Sequence, residues 1–205
     1  MDAEVKKIMQ KIQMKKLTAI KLINWHYFSE ETIKINDSTL ISGENASGKS
    51  TILDAIYLVL TTDTKSFNSA TNQKSKRNLK SYVRCKTGEE DNAYLRKNAV
   101  ISYVALEFYE EKKNKYFVVG GRFESPDEES DVKRQWFVEE CSLADLSFKT
   151  GNKPSLANDF KNKGQKVNLI RSGGEARNRI STRLGRLDKR FENMLKKSIA
   201  FKPID

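Results

Sequence analysis

The apolar residues of this chain fall into runs with clear periods. Leu17 to Phe28 is β-prone and closes in a turn, and Thr32-Ile33-Lys34-Ile35 alternates as its partner strand. Further along, Val100, Ser102, Val104, Leu106 and Phe108 alternate with Ile101, Tyr103, Ala105 and Glu107. A hydrophilic turn over 110–115, a returning strand over 116–124, an acidic loop over 126–131 and a third strand over 133–139 complete an antiparallel meander. Helical spacing appears elsewhere. Val5, Ile8, Met9 and Ile12 share one face of a leading helix assigned to residues 1–16. Thr51 to Leu60 is apolar at helical spacing, and a short helix fits Leu79 to Arg84. Beyond Pro154, the residues Ile180, Leu184, Leu187, Phe191, Met194 and Leu195 make a core-facing stripe that Gly185 interrupts.

Between the second strand and the first long helix lies a run that changes the picture. Ser38-Thr39-Leu40-Ile41-Ser42 is β-prone and predicts a strand. It delivers Gly43-Glu44-Asn45-Ala46-Ser47-Gly48-Lys49-Ser50, which fits G-x-x-x-x-G-K-[ST] at every fixed position. Two glycines let the backbone curl until successive N–H groups point into one concavity at the positive end of a helix, where phosphate oxygens bind. In that pattern Lys49 reaches the β- and γ-phosphates of ATP and Ser50 is a ligand of Mg²⁺, while Thr51 is placed to touch the α-phosphate. Lys49 is the candidate catalytic residue, and Gly43 to Thr51 are the candidate nucleotide-binding residues. The alternative, a glycine-rich turn with no ligand, is disfavoured by the strand–loop–helix context.

Charge adds a second expectation. Among 205 residues, Lys and Arg number 38 against 27 Asp and Glu, a formal net charge of +11. Such an excess favours polyanionic partners, nucleic acid first among them, although a solvated basic surface would give the same count. Lys74, Lys76, Arg77, Lys80, Arg84 and Lys86 cluster after the first helix. Of these, Lys74, Lys76, Arg77, Lys80 and Arg84 are the candidate contacts to duplex DNA, bound through phosphates without sequence preference. The alternative is a solvated linker, or a surface facing nucleotide across a dimer. Cys85 and Cys141 are far apart and offer no metal spacing and no disulfide framework. No apolar run approaches the ~20 residues of a membrane span. These features together predict a cytoplasmic protein, and the expected DNA contacts would make it nucleoid-associated.

Hydrolysis of ATP by a phosphate-loop enzyme also needs an apolar strand ending in Asp, usually followed by Glu, to hold the Mg²⁺ shell and orient water. No segment here qualifies. Val104 to Phe108 offers only Glu107, inside an alternating strand, and Val167-Asn168-Leu169-Ile170 runs into Arg171. Ser172-Gly173-Gly174-Glu175 resembles the serine-glycine-glycine signature of ATP-binding-cassette proteins, but a serine N-cap before a helix explains it as well.

Lys49-Ser50-Thr51-Ile52-Leu53-Asp54-Ala55-Ile56 after Gly43-Glu44-Asn45 resembles the N-terminal half of SMC-type ATPase heads. The similarity narrows with Ile23 to Phe28, with Phe67-Asn68 and Asn72 to Leu79, and with Tyr82-Val83-Arg84. It continues through Arg183 to Leu187 and Ala200 to Ile204, and is nearest to the MukB-like subunit of Wadjet-type (JetC/MksB-type) bacterial condensins. The resemblance implies an α/β fold: a P-loop NTPase lobe with an antiparallel side sheet and C-terminal helices, spanning residues 17–205 as part of a longer protein. It implies ATP and Mg as cofactors and an ATPase that is inactive as this piece alone. The partners implied are the C-terminal half of the same head, a homodimer of heads, kleisin-type and accessory subunits and duplex DNA, and no membrane. It also places Trp25 and His26 where relatives contact the base or α-phosphate. Two departures stand out: Ala46 replaces a common glycine, compatible with the loop if its φ stays negative, and no γ-phosphate-sensing glutamine is evident. A RecF-like or double-strand-break-repair-type ATPase, and a nucleotide-independent DNA-binding module with a relict P-loop, are the alternatives.

Overall fold

A computed structural model describes residues 15–64, 67, 78–88, 90 and 93–185. The leading helix expected before residue 15, the basic residues Lys74, Lys76 and Arg77, and the apolar stripe beyond Gly185 lie outside the described residues.

A five-stranded antiparallel sheet organises the rest. Its strands are β1 (Lys15–Trp25), β2 (Phe28–Lys34), β3 (Val100–Glu110), β4 (Lys115–Ser125) and β5 (Lys133–Glu139), in the order β2-β1-β3-β4-β5. The β3–β5 meander follows the alternation in the sequence, with Val100 paired to Ser125 and Glu110 to Lys115. β1 starts at Lys15, so residues 15 and 16 pair with Glu110 and Tyr109 instead of extending a leading helix. A small hairpin, β6 (Lys149–Thr150) and β7 (Lys153–Pro154), lies beyond the meander.

Both faces of the sheet are covered, which is why its strands carry apolar residues on both parities. One face, with Ile20, Leu22, Val104, Leu106 and Phe123, packs against helices α1 (Lys49–Thr61), α2 (Leu79–Arg84) and α4 (Gly173–Leu184). The other face, with Ile23, Tyr103, Ala105, Val118 and Phe137, packs under the 143–170 segment, which includes α3 (Ala157–Asn162). Each large apolar side chain so buried stabilises the fold by about 1.5–3 kcal/mol. At Asn24 the backbone turns left-handed (φ 50°), which interrupts the alternation. Trp25 therefore joins Ile20 and Leu22 on the helix-covered face, although its parity matches Ile23 on the other.

One expected element is missing. Residues 38–42 form no strand, and Leu40 is 88% exposed. A strand is made by its neighbours, since unpaired N–H and C=O groups gain nothing from extension. No described strand lies beside this segment. Instead Asn36 N–H donates to the Thr39 hydroxyl in a local turn. The C-terminal helix behaves as expected: Ile180 is fully buried, and Gly185 (φ 106°) ends α4 in the left-handed conformation that favours glycine.

Candidate functional site

The phosphate loop lies at the end of the sheet where β1 turns into β2. Phe28, the first residue of β2, places its ring against Gly48: a Cβ there would come within 2.8 Å of Phe28 Cζ. Gly48 also has φ 97°, so both space and backbone demand glycine. At the loop's start Gly43 has φ 154°, and a Cβ there would meet Ser47 Oγ at 2.7 Å. The third unusual residue is Ala46, with φ 66°. This corrects the expectation that alanine keeps a negative φ: the loop holds it left-handed, at a cost of roughly 1–2 kcal/mol.

From Gly48 the chain enters α1. No side chain caps this helix and no acidic residue occupies its first turn. The first-turn N–H groups have no partner within a helix, and the dipole is positive here, so the terminus suits an anion. The Lys49 ammonium donates to the carbonyls of Gly43 and Glu44, both at 2.7 Å, and to Ser47 Oγ at 3.4 Å. These acceptors are neutral and the surrounding loop is exposed, so phosphate oxygens at the mouth of the loop would be stronger acceptors for the same ammonium. Ser50 is partly buried on the first turn, where its hydroxyl could join the water-rich shell Mg²⁺ keeps; Thr51 is buried. The glycine-built cradle, the uncapped helix and the lysine thus fit a nucleotide phosphate chain. Glu44 and Asn45 lie on the exposed arc of the loop.

Behind the first turn of α1 the side chains are buried. Trp25 is fully buried and donates from Nε1 to the Thr51 carbonyl at 3.1 Å. Its ring stacks on Tyr82 of α2, with centroids 4.8 Å apart and planes at 4°. The Tyr82 hydroxyl in turn donates to the Asp54 carboxylate, 1% exposed on α1. Trp25 is therefore a support for α1, and its placement as a nucleotide contact is corrected. His26, left-handed at φ 50°, donates its backbone N–H to the Tyr82 carbonyl at 2.7 Å, and its ring meets Tyr27 edge-on. Tyr27 is the exposed aromatic of this turn, at 57%. Phe28, Asp54 and Tyr82 escaped the sequence reading of the site. Phe28 belongs to a string that resembles the family, but no local pattern marks Tyr82 as the partner of Trp25.

The expected DNA contacts fare differently. Arg84 is fully buried. Its guanidinium donates to Ser125 Oγ at 2.8 Å and to the carbonyls of Arg96, Lys97, Asn98 and Ser125, tying α2 to the end of β4. It is a structural clamp that a DNA phosphate cannot reach, which corrects its assignment. Lys80 donates to the carbonyls of Glu128 and Glu129 in the acidic loop. Lys74, Lys76 and Arg77 lie outside the described residues.

No described strand ends in Asp. Glu107 accepts from Thr18 Oγ1 and from Leu143 N–H, both at 2.7 Å. Glu110 lies opposite Lys15 at the other end of β1 from the loop, roughly 33 Å away at about 3.3 Å per residue. There it forms ion pairs with Arg183 at 2.8 Å and Lys113 at 3.2 Å. Burial pushes the Glu110 carboxyl up, but hydrogen bonds and charge from Arg183 and Lys113 outweigh it and hold the group below its ordinary 4.5. Ser172 caps α4 by accepting the Glu175 N–H at 3.3 Å, so the Ser172-Gly173-Gly174-Glu175 run serves here as a helix start. No described helix is long and apolar enough to cross a membrane.

A family profile described as the P-loop containing region of AAA domain matches residues 17–74. That span runs from β1 through the loop and α1, the same residues that build the cradle. No curated protein matches the chain. The chain carries the P-loop region of a nucleotide-binding NTPase, on a mixed α/β fold with an antiparallel sheet.

Proposed function

We propose that this chain is the ATP- and Mg-binding N-terminal half of the head of an SMC-like DNA-translocating ATPase, of the plasmid-defence or chromosome-organising kind. The observation that carries this reading is the pairing of a well-formed, uncapped phosphate loop with an unfinished approach to it. Residues 38–42 lead straight into the loop with no described strand paired to them and Leu40 exposed. A second half that lays strands along residues 38–42 would bury Leu40. It would also bring the strand ending in Asp, and the Glu, that hydrolysis needs; no described strand here ends in Asp. In this reading Lys49 holds the β- and γ-phosphates, Ser50 binds Mg²⁺, the N–H groups from Glu44 to Thr51 line the phosphate chain, and Tyr27 offers its ring to the base. Mg²⁺ held at Ser50 would supply charge neutralisation to the phosphate chain. Kleisin-type and accessory subunits, and a second head, complete the assembly.

The decisive experiment measures ATP turnover by the chain alone and after adding the C-terminal head half encoded with it. Turnover only in the mixture, lost with Lys49→Ala, is expected. Steady turnover by the chain alone, or no MgATP binding by either preparation, would sink the reading. DNA engagement is tested by replacing Lys74, Lys76, Arg77 and Lys80 with Gln. Affinity and the slope against salt should both fall, by about one unit of slope per lost phosphate contact. Unchanged affinity and slope would leave those residues as a solvated surface.

A further inference from the structure

The buried ring pair Trp25–Tyr82 grips the phosphate-loop helix from behind at two points one turn apart. Trp25 Nε1 holds the Thr51 carbonyl, and the Tyr82 hydroxyl holds the Asp54 carboxylate. The two rings are stacked almost parallel, so neither can shift without the other. The pair is itself fixed from several sides. Phe67 lies 4.9 Å from the Tyr82 ring, Phe123 lies 5.9 Å from Trp25, and the His26 N–H holds the Tyr82 carbonyl. All these groups come from outside α1; Phe67 and Phe123 are buried and His26 is half-buried.

From this we infer that Trp25 and Tyr82 are positioning residues for nucleotide binding: together they set the height and tilt of the first turn of α1, and so the aim of its N–H groups at phosphate. The inference rests on the nucleotide-binding reading above and deepens it. Its physical basis is the steep dependence of charge-assisted hydrogen bonds on distance and angle. A cradle made of several N–H groups works only when they converge on one point, and a small tilt of the first turn weakens all of them together. The loop cannot supply that rigidity itself. Residues 43–47 are exposed, Ala46 is held in a disfavoured conformation, and α1 has no side-chain cap. The fixed reference is behind the helix. Because Trp25 is bonded to the turn that meets phosphate, its indole should also register ligand binding, although it does not touch ligand.

The test uses the 205-residue chain labelled with fluorotryptophan. It contains two tryptophans, Trp25 and Trp136, and fluorine NMR resolves one line from each. Trp136, on β5, bonds through its backbone to Ile170 and serves as the internal control. Saturating MgATP is expected to move the Trp25 line and leave the Trp136 line in place, and Lys49→Ala should remove the movement. In parallel, calorimetry compares the parent with Tyr82→Phe, which keeps the stack and loses the hydroxyl, and Trp25→Phe, which loses the indole donor. Each should bind MgATP about 5-fold more weakly, the scale of a partly forfeited hydrogen bond. A stationary Trp25 line at saturation overturns the inference, and so does parent-like affinity in both variants. Should a variant fail to fold, the fluorine measurement on the parent decides alone. If neither the chain alone nor its mixture with the C-terminal head half binds MgATP, the proposed function falls and this inference with it; if the preparation that binds keeps the Trp25 line still, only this inference falls.

Discussion

Two cations set at helix ends, Arg183 and Lys49, teach opposite things. Arg183 lies in the last turn of α4, where the dipole favours positive charge. It meets Glu110 and Glu140, and its guanidinium lies 3.6 Å above the Phe117 ring. Lys49 lies in the first turn of α1, where the dipole opposes it, and its described partners are two carbonyls and a hydroxyl of its own exposed loop. A cation matched to internal carboxylates serves the fold. A cation placed against the dipole with only neutral acceptors is poised for an anion from outside. The same logic separates Arg84, enclosed by carbonyls and a hydroxyl deep in the protein, from a residue that could meet DNA.

The contrast is most exposed to refutation by paired alanine substitutions. Arg183→Ala leaves the buried Glu110 carboxylate without its main partner, and the expected cost is about 3–5 kcal/mol of stability in urea unfolding. MgATP affinity should stay within about 2-fold of the parent, because α4's last turn is remote from the loop. Lys49→Ala should do the reverse. Binding should weaken by about 100-fold, roughly 2.7 kcal/mol, while the unfolding midpoint barely moves. If Lys49→Ala destabilises the fold as much as Arg183→Ala does, the division between the two cations is wrong.

Acid sharpens the comparison further. Glu110 is held below its ordinary 4.5, so its contribution to stability is complete above that value and is lost as pH falls through the lowered folded value. Glu139, pushed up by burial, runs the other way and favours the folded state once protonated. In unfolding measured between about pH 5 and pH 3, the Glu110 contribution of the parent should therefore fall with pH, with Glu139 opposing it. The fall should be shallower in Arg183→Ala, where the main cause of the Glu110 depression is gone. An identical acid limb in both proteins would show that the ion pair does not couple to folding.

The smallest effect concerns the loop backbone. Ala46→Gly removes the penalty for a left-handed alanine but gives the unfolded chain more freedom, so overall stability should change by less than about 1 kcal/mol. MgATP should bind about 2–5-fold more tightly, since the cradle would no longer hold a strained residue. Weaker binding by the glycine variant would mean that alanine's restriction organises the loop.

The meander was legible because alternation is written residue by residue: the sequence reading and the structure agree on 133–139 as β5, and on Leu79 to Arg84 as α2. The phosphate loop was legible because its glycines answer to local backbone needs, which a motif records. What was not legible depends on neighbours. Residues 38–42 have strand-like composition, and no described strand pairs with them. Trp25 reads as an end-of-strand aromatic near a ligand until the left-handed Asn24 turns it onto the helix-covered face. Arg84 looks like its basic neighbours because charge does not record that the acceptors come from residues 96–98 and 125, far along the chain.

The turn from Trp25 to Phe28 gives four successive residues four destinations. Trp25 faces the interior, His26 bonds through its backbone to α2, Tyr27 faces outward, and Phe28 lies against Gly48. The turn therefore acts as a gauge of fixed length between the sheet and the loop. One residue inserted there would exchange inward and outward positions and separate the loop from its support. Added length over 36–40 should be absorbed by exposed chain. A scan of single-residue insertions, read by MgATP binding, should find one short intolerant window over 24–28 and a permissive stretch before Gly43; uniform tolerance would mean the gauge does not exist. Variation in length among natural forms of this lobe should then collect between β2 and the loop, leaving the turn constant.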